Sequence, residues 1–99
     1  MRHKPRLDDN QQTIVKQLRS IGVSVASTAA VGGGLPDIIC GYKGQNWLFE
    51  IKDGSKSPSW RRLTADEMAW HSSWRGQVNV IHGLDDALRL MGIHVEGLI

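Results

Sequence analysis

The chain predicts an α/β fold with elements in the order α-β-β-β-α-β-α. Three observations carry that reading. Ile14, Val15, Leu18 and Ile21 recur at helical spacing and Gly22 follows them as a stop. Two apolar runs, 37–42 and 46–52, flank Lys43-Gly44-Gln45 as the strands of a hairpin. Thr64-Ala-Asp-Glu67 then has the form of a capping box, which opens a second helix beyond the hairpin.

The elements follow in order. Arg2, His3, Lys4 and Arg6 surround Pro5, so residues 1–7 read as a flexible basic arm that could also touch phosphate. Asp8, Asp9 and Asn10 offer caps for a helix over about 9–21. Val23 to Thr28 alternates apolar and small polar residues, as a strand does. Gly32 to Gly34 form a loop whose glycines let the backbone pass close to a ligand or a neighbouring strand. They lack the spacing and the Lys-Ser/Thr of a phosphate-binding loop. Pro36 can begin a strand but cannot sit in the middle of one. Gly54 to Arg62 reads as a polar, basic loop with one Trp. The second helix runs to about Trp74, Val78 to Ile81 reads as a strand, and Asp85-Asp86 open a third helix stopped by Gly92. The last residues, HVEGLI, are a short strand or an irregular end.

Composition bounds the rest. At 99 residues, 1–99 reads as a single domain. The content of 40% hydrophobic and 22% charged residues is that of a globular protein. A net charge of +2 permits a polyanionic partner without requiring one. Cys40 is the one cysteine, flanked by Ile39, so a buried thiol is expected and a disulfide framework is not. No apolar run approaches the roughly 20 residues that span a membrane, and no signal core follows the N-terminal charges. An intracellular, reducing location with no membrane association is the expectation.

The chemistry concentrates in Gly32 to Asp53. Strand alternation sends Trp47, Phe49 and Ile51 one way, and Leu48, Glu50 and Lys52 the other. A hairpin centred on Gly44-Gln45 sets Asp37 opposite Lys52; one centred on Lys43-Gly44 sets Asp37 opposite Glu50. In either register Asp37, Glu50 and Lys52 share a face. A three-residue loop would reverse the relation. Two such carboxylates are hard oxygen donors suited to Mg²⁺ or Mn²⁺, and Lys52 would stand beside a water activated there. The same spacing also suits a plain cross-strand ion pair in which Lys52 neutralises both acids. Asp53 has the opposite parity from Glu50 and is left out of the site.

Gly34-Leu-Pro-Asp37, followed by Glu50-Ile-Lys52, resembles the signature of the PD-(D/E)XK nucleases, whose fold is a mixed central sheet flanked by helices. Within them the chain is most similar to the small VRR-NUC domain, known from structure-selective DNA nucleases and from short stand-alone phage and prophage proteins. Asn10-Gln11, Ile14-Val15, Leu18-Arg19 and Gly22 look like its first helix. Asp53-Gly-Ser-Lys56, Leu63-Thr64, Asp66 and Trp70-His71 look like the segment after its catalytic strand.

The resemblance implies Asp37 and Glu50 as metal ligands with the backbone carbonyl of Ile51, Lys52 as the catalytic lysine, and Mg²⁺- or Mn²⁺-dependent hydrolysis of DNA. It implies an endonuclease acting on branched DNA such as Holliday junctions, working as a homodimer in a bacterial or phage-infected cell, with a helicase or recombinase as a conceivable partner. The different-class alternative is a DNA-binding or assembly module that keeps the fold without efficient catalysis. Two departures stand out. The family's first helix often carries a glutamate where this chain has Thr13, with Gln11 and Gln12 beside it. The helix after the catalytic strand often carries a glutamine where this chain has Glu67, which could act in the site or simply cap its helix. Lys56, Trp60, Arg61 and Arg62 read as a DNA-backbone clamp or a solvated loop. Trp70 and Trp74 read as packing residues, and His71 as a packed or surface histidine with a general-base role open to it.

Overall fold

The computed structural model describes residues 10–94. The basic arm and most of the C-terminal tail lie outside that range. Three helices and a four-stranded mixed sheet form an α/β fold with the expected element order. The helices are α1 (Gln11–Ser20), α2 (Ala65–Ser73) and α3 (Leu84–Met91). The strands are β1 (Ser24–Ser27), β2 (Ile38–Tyr42), β3 (Gln45–Ile51) and β4 (Asn79–Ile81). They lie side by side in chain order; β1, β2 and β3 pair antiparallel, and β4 joins β3 in parallel. A parallel neighbour needs a crossover connection, and the segment containing α2 supplies it.

One face of the sheet holds the core. Ile38 and Cys40 of β2, Phe49 and Ile51 of β3 and Ile81 of β4 are fully buried. They pack with Ile14 and Leu18 of α1 and Ala87 and Met91 of α3. α1 and α3 each contribute the stripe that a 3.6-residue period puts on one side. Burial pushes the Cys40 thiol up to about 11, so it is a packing residue with little thiolate character. Among the described residues no helix is long and apolar enough to cross a membrane.

The hairpin settles the register. Tyr42 pairs with Gln45 and Ile38 with Phe49, so Lys43-Gly44 is a two-residue turn. Both turn residues have positive φ, 50° at Lys43 and 77° at Gly44, the conformation whose twist suits adjoining strands. Of the two open registers this is the one that sets Asp37 opposite Glu50.

The second helix ends where the sequence predicts, at Ser73 with Trp74 as its C-cap. Two local features differ from the sequence reading. The segment after β3 is not all loop: Pro58–Arg61 makes one 3-10 turn, with Pro58 at its start where a missing N–H does no harm. The glycine loop approaches a helix rather than a strand. A Cβ on Gly34 would lie 2.3 Å from the Asp66 carbonyl oxygen, and its φ is +83°. Only glycine lets that backbone lie against the first turn of α2.

Candidate active site

Asp37 is fixed before any side chain meets it. Thr28, at the end of β1, donates its N–H to the Asp37 carbonyl at 2.9 Å. Its hydroxyl donates to the carbonyl of buried Pro36. The Asp37 carboxylate then crosses to the neighbouring strand, where Oδ2 accepts the Ile51 N–H at 2.7 Å. Oδ2 is thus held between Glu50 and Lys52 in the chain.

Lys52 lies just past β3, and its backbone is pinned on both sides. Its N–H donates to the Ile81 carbonyl at 2.9 Å. Its carbonyl lies 2.9 Å from His82 Nδ1. His82 also accepts from Gly54 N–H at 3.2 Å and from the Asn10 side chain at 3.1 Å through its carbonyl. Nothing in the sequence singled out His82, because its part is to tie three chain segments together.

The other face of the sheet receives α2. Thr64 accepts the Glu67 N–H, and Glu67 Oε1 accepts the Thr64 N–H at 2.8 Å, so the capping box forms. The same oxygen lies 2.8 Å from Lys52 Nζ. One turn further, His71 Nε2 lies 3.7 Å from Glu50 Oε1. Residues 67 and 71 share a helix face, and 50 and 52 share a sheet face. The pairs 52–67 and 50–71 therefore show α2 running antiparallel to β3 across the site.

Glu50 is the most unusual group there. Only 1% of its surface is exposed, and Oε1 has no hydrogen-bond partner. Burial comes first in pushing its carboxyl up to about 10, followed by the hydrogen bond and charge of Asp37 and then the charge of Glu67; Lys52 opposes them. For Glu67 burial also pushes upward, but the Lys52 ammonium and the Thr64 N–H outweigh it and hold the carboxylate below its usual range. The plain ion pair foreseen for Lys52 is thus made with Glu67.

The predicted site residues divide as follows. Asp37, Glu50, the Ile51 backbone and Lys52 are brought together, with Glu67 and His71 added from α2. Gln11 is buried on the core side of α1 with Oε1 unpartnered. Thr13 lines a cleft between α1 and α3 with His82, Asp85 and Asp86, a cleft that Asp37, Glu50 and Lys52 do not line. Trp60 is 47% exposed on the 3-10 turn. Lys56 and Arg62 are exposed beside it, and Arg61 is half-buried with Nε unpartnered. Asp53 is taken up locally, its Oδ1 accepting both the N–H and the hydroxyl of Ser55. Trp70 and Trp74 stack at 4.6 Å.

Among the described residues no three His, Cys, Asp or Glu side chains form a ready-made metal cluster. The donor set still fits one hard cation, because Mg²⁺ typically takes one or two carboxylates and fills its remaining positions with water and substrate phosphate. The buried Glu50 carboxyl beside Asp37, pushed up by its burial and by that neighbour, is the feature that such an ion would satisfy.

The chain matches no family model, no curated protein and no solved structure.

Proposed function

We propose that this chain is a metal-dependent DNA endonuclease of the PD-(D/E)XK type, close to the VRR-NUC domain, acting on branched DNA. One observation carries the reading: a buried glutamate with an unpartnered oxygen stands beside an aspartate fixed by the next strand and a lysine fixed by the next helix. A fold has little reason to bury a glutamate beside a second acid unless something binds them, since an unpaired buried acid opposes folding.

Asp37, Glu50 and the Ile51 carbonyl would hold Mg²⁺ or Mn²⁺. When bound, the ion polarises a phosphoryl oxygen and makes a water more nucleophilic. Lys52 then has two tasks that its ammonium suits: orienting the attacking water and offsetting the negative charge that builds on phosphorus. Glu67 keeps that ammonium in place. Lys56, Arg61 and Arg62 supply phosphate contacts, and Trp60 a ring for an unpaired base. A homodimer belongs to the same proposal. Ile39, Trp60, Met68 and Trp74 leave apolar surface exposed for one, and sedimentation of the free protein tests it.

The binding-module reading draws on Thr13, which offers no acid and faces another cleft. Incubation with four-way junction, flap and duplex DNA in Mg²⁺, Mn²⁺ or EDTA separates the two. Metal-dependent cutting supports the nuclease, and retarded but uncut DNA supports the module.

A further inference from the structure

His71 and Glu50 face each other across the interface of α2 and the sheet. Nε2 and Oε1 are 3.7 Å apart, too far for a hydrogen bond, and neither atom has another partner. Both are out of water: the His71 side chain is 14% exposed and that of Glu50 1%. Two buried polar atoms left facing each other without a bond are an unfavourable arrangement, and such atoms are uncommon in folded proteins. The ring is also held in place. It packs edge-on against Trp70 at 6.0 Å between ring centres. Glu67, one turn earlier on the same face, is anchored by Lys52. The imidazole is therefore delivered to Glu50 by a helix that the Glu67–Lys52 pair anchors one turn earlier.

We propose that His71 is a positioning residue for the metal-bound form of the site: its Nε2–H donates to Glu50 Oε1 once the carboxylate engages a divalent cation, and so fixes which oxygen faces the ion. This rests on the reading of Asp37 and Glu50 as ligands. Carboxylates that bind metals are themselves hydrogen-bonded, and the groups that hold them govern affinity. Closing the gap takes less than one ångström, within reach of small rotations of the two side chains. The proposal gives α2 a divided task, with Glu67 placing the lysine and His71 placing the glutamate.

The test measures Mn²⁺ binding to the DNA-free protein by calorimetry and by the paramagnetic resonance of unbound Mn²⁺. The variants are His71→Leu, which removes the donor at similar bulk, His71→Gln, whose amide N–H reaches a similar point, and Glu50→Gln. Thermal unfolding of each confirms that it is folded. The expected result is that His71→Leu binds Mn²⁺ at least about 10-fold more weakly, that His71→Gln recovers most of the loss, and that Glu50→Gln abolishes binding. If Glu50→Gln loses binding while His71→Leu matches the unaltered protein, the role of His71 is wrong and the metal site stands. If His71→Gln binds as weakly as folded His71→Leu, hydrogen-bond positioning is wrong. If the unaltered protein binds no Mn²⁺, or Glu50→Gln binds it equally well, the metal-site reading fails and this inference with it.

Discussion

Lys52 Nζ and Glu67 Oε1 lie 2.8 Å apart, and that glutamate oxygen also closes the capping box of α2. One atom therefore starts a helix and holds the lysine of the site. The two tasks separate by substitution. Glu67→Gln keeps an acceptor for the Thr64 N–H but loses the charge that pairs with Lys52, so cleavage slows and its melting temperature falls, though less than that of Glu67→Ala. Glu67→Ala loses both and is destabilised by about 1 kcal/mol. Thermal unfolding and cleavage rates, measured on both variants, check this.

The elevated Glu50 carboxyl has a consequence for stability. Its folded value, about 10, lies above its ordinary 4.5, so the folded state holds this proton more firmly than the unfolded state. The stabilisation it brings is complete below the ordinary value and is lost as pH rises through the folded value. Between about pH 5 and about pH 9 the metal-free protein should become less heat-stable. Glu50→Gln should flatten that dependence and melt higher than the unaltered protein at neutral pH. Parallel melting profiles in the two proteins would count against it.

Gly34 joins the loop before Asp37 to the first turn of α2. Gly34→Ala places a Cβ 2.3 Å from the Asp66 carbonyl oxygen at a φ of +83°. Strained backbone, ~1–2 kcal/mol, and overpacking, ~1–3 kcal/mol, act together. Gly33→Ala shares the positive φ, but its Cβ meets nothing within 4 Å, so it loses only the first contribution. Denaturant unfolding should rank Gly34→Ala well below Gly33→Ala.

Much of this was legible in local chemistry. Alternation along 46–52 separated Phe49 and Ile51 from Glu50 and Lys52, and the structure keeps them apart. The Thr64–Glu67 capping box formed as its spacing said. The hairpin register was open between two choices, because Lys43-Gly44-Gln45 accommodates either turn; positive φ at Lys43 decides it. What the sequence hid lies in long-range packing. His71 was indistinguishable from a surface histidine until α2 was laid antiparallel to β3. The task of His82 depends on Lys52, Gly54 and Asn10 arriving beside it. Gln77 gave no sign that its side chain would bond both the N–H and the carbonyl of Leu48.

The basic segment after the site makes a separate prediction. If Arg62 contacts a DNA phosphate, Arg62→Ala weakens binding similarly across sequences and lowers the slope of log affinity against log salt by about 0.9. Arg61→Ala does the same for a second phosphate. Fluorescence anisotropy of a labelled junction over a salt series measures both slopes, and slopes equal to that of the unaltered protein would remove these residues from the DNA contact.

The most direct test of the site is the rate of four-way junction cleavage in Mn²⁺ by the unaltered protein and by Lys52→Ala, with junction binding measured alongside. The expected result is cleavage that EDTA stops, and a Lys52→Ala variant that still binds the junction but cuts it at least about 100-fold more slowly. Cleavage that persists in EDTA, or a Lys52→Ala variant that cuts at the unaltered rate, would contradict the assignment of Asp37, Glu50 and Lys52 as the catalytic centre.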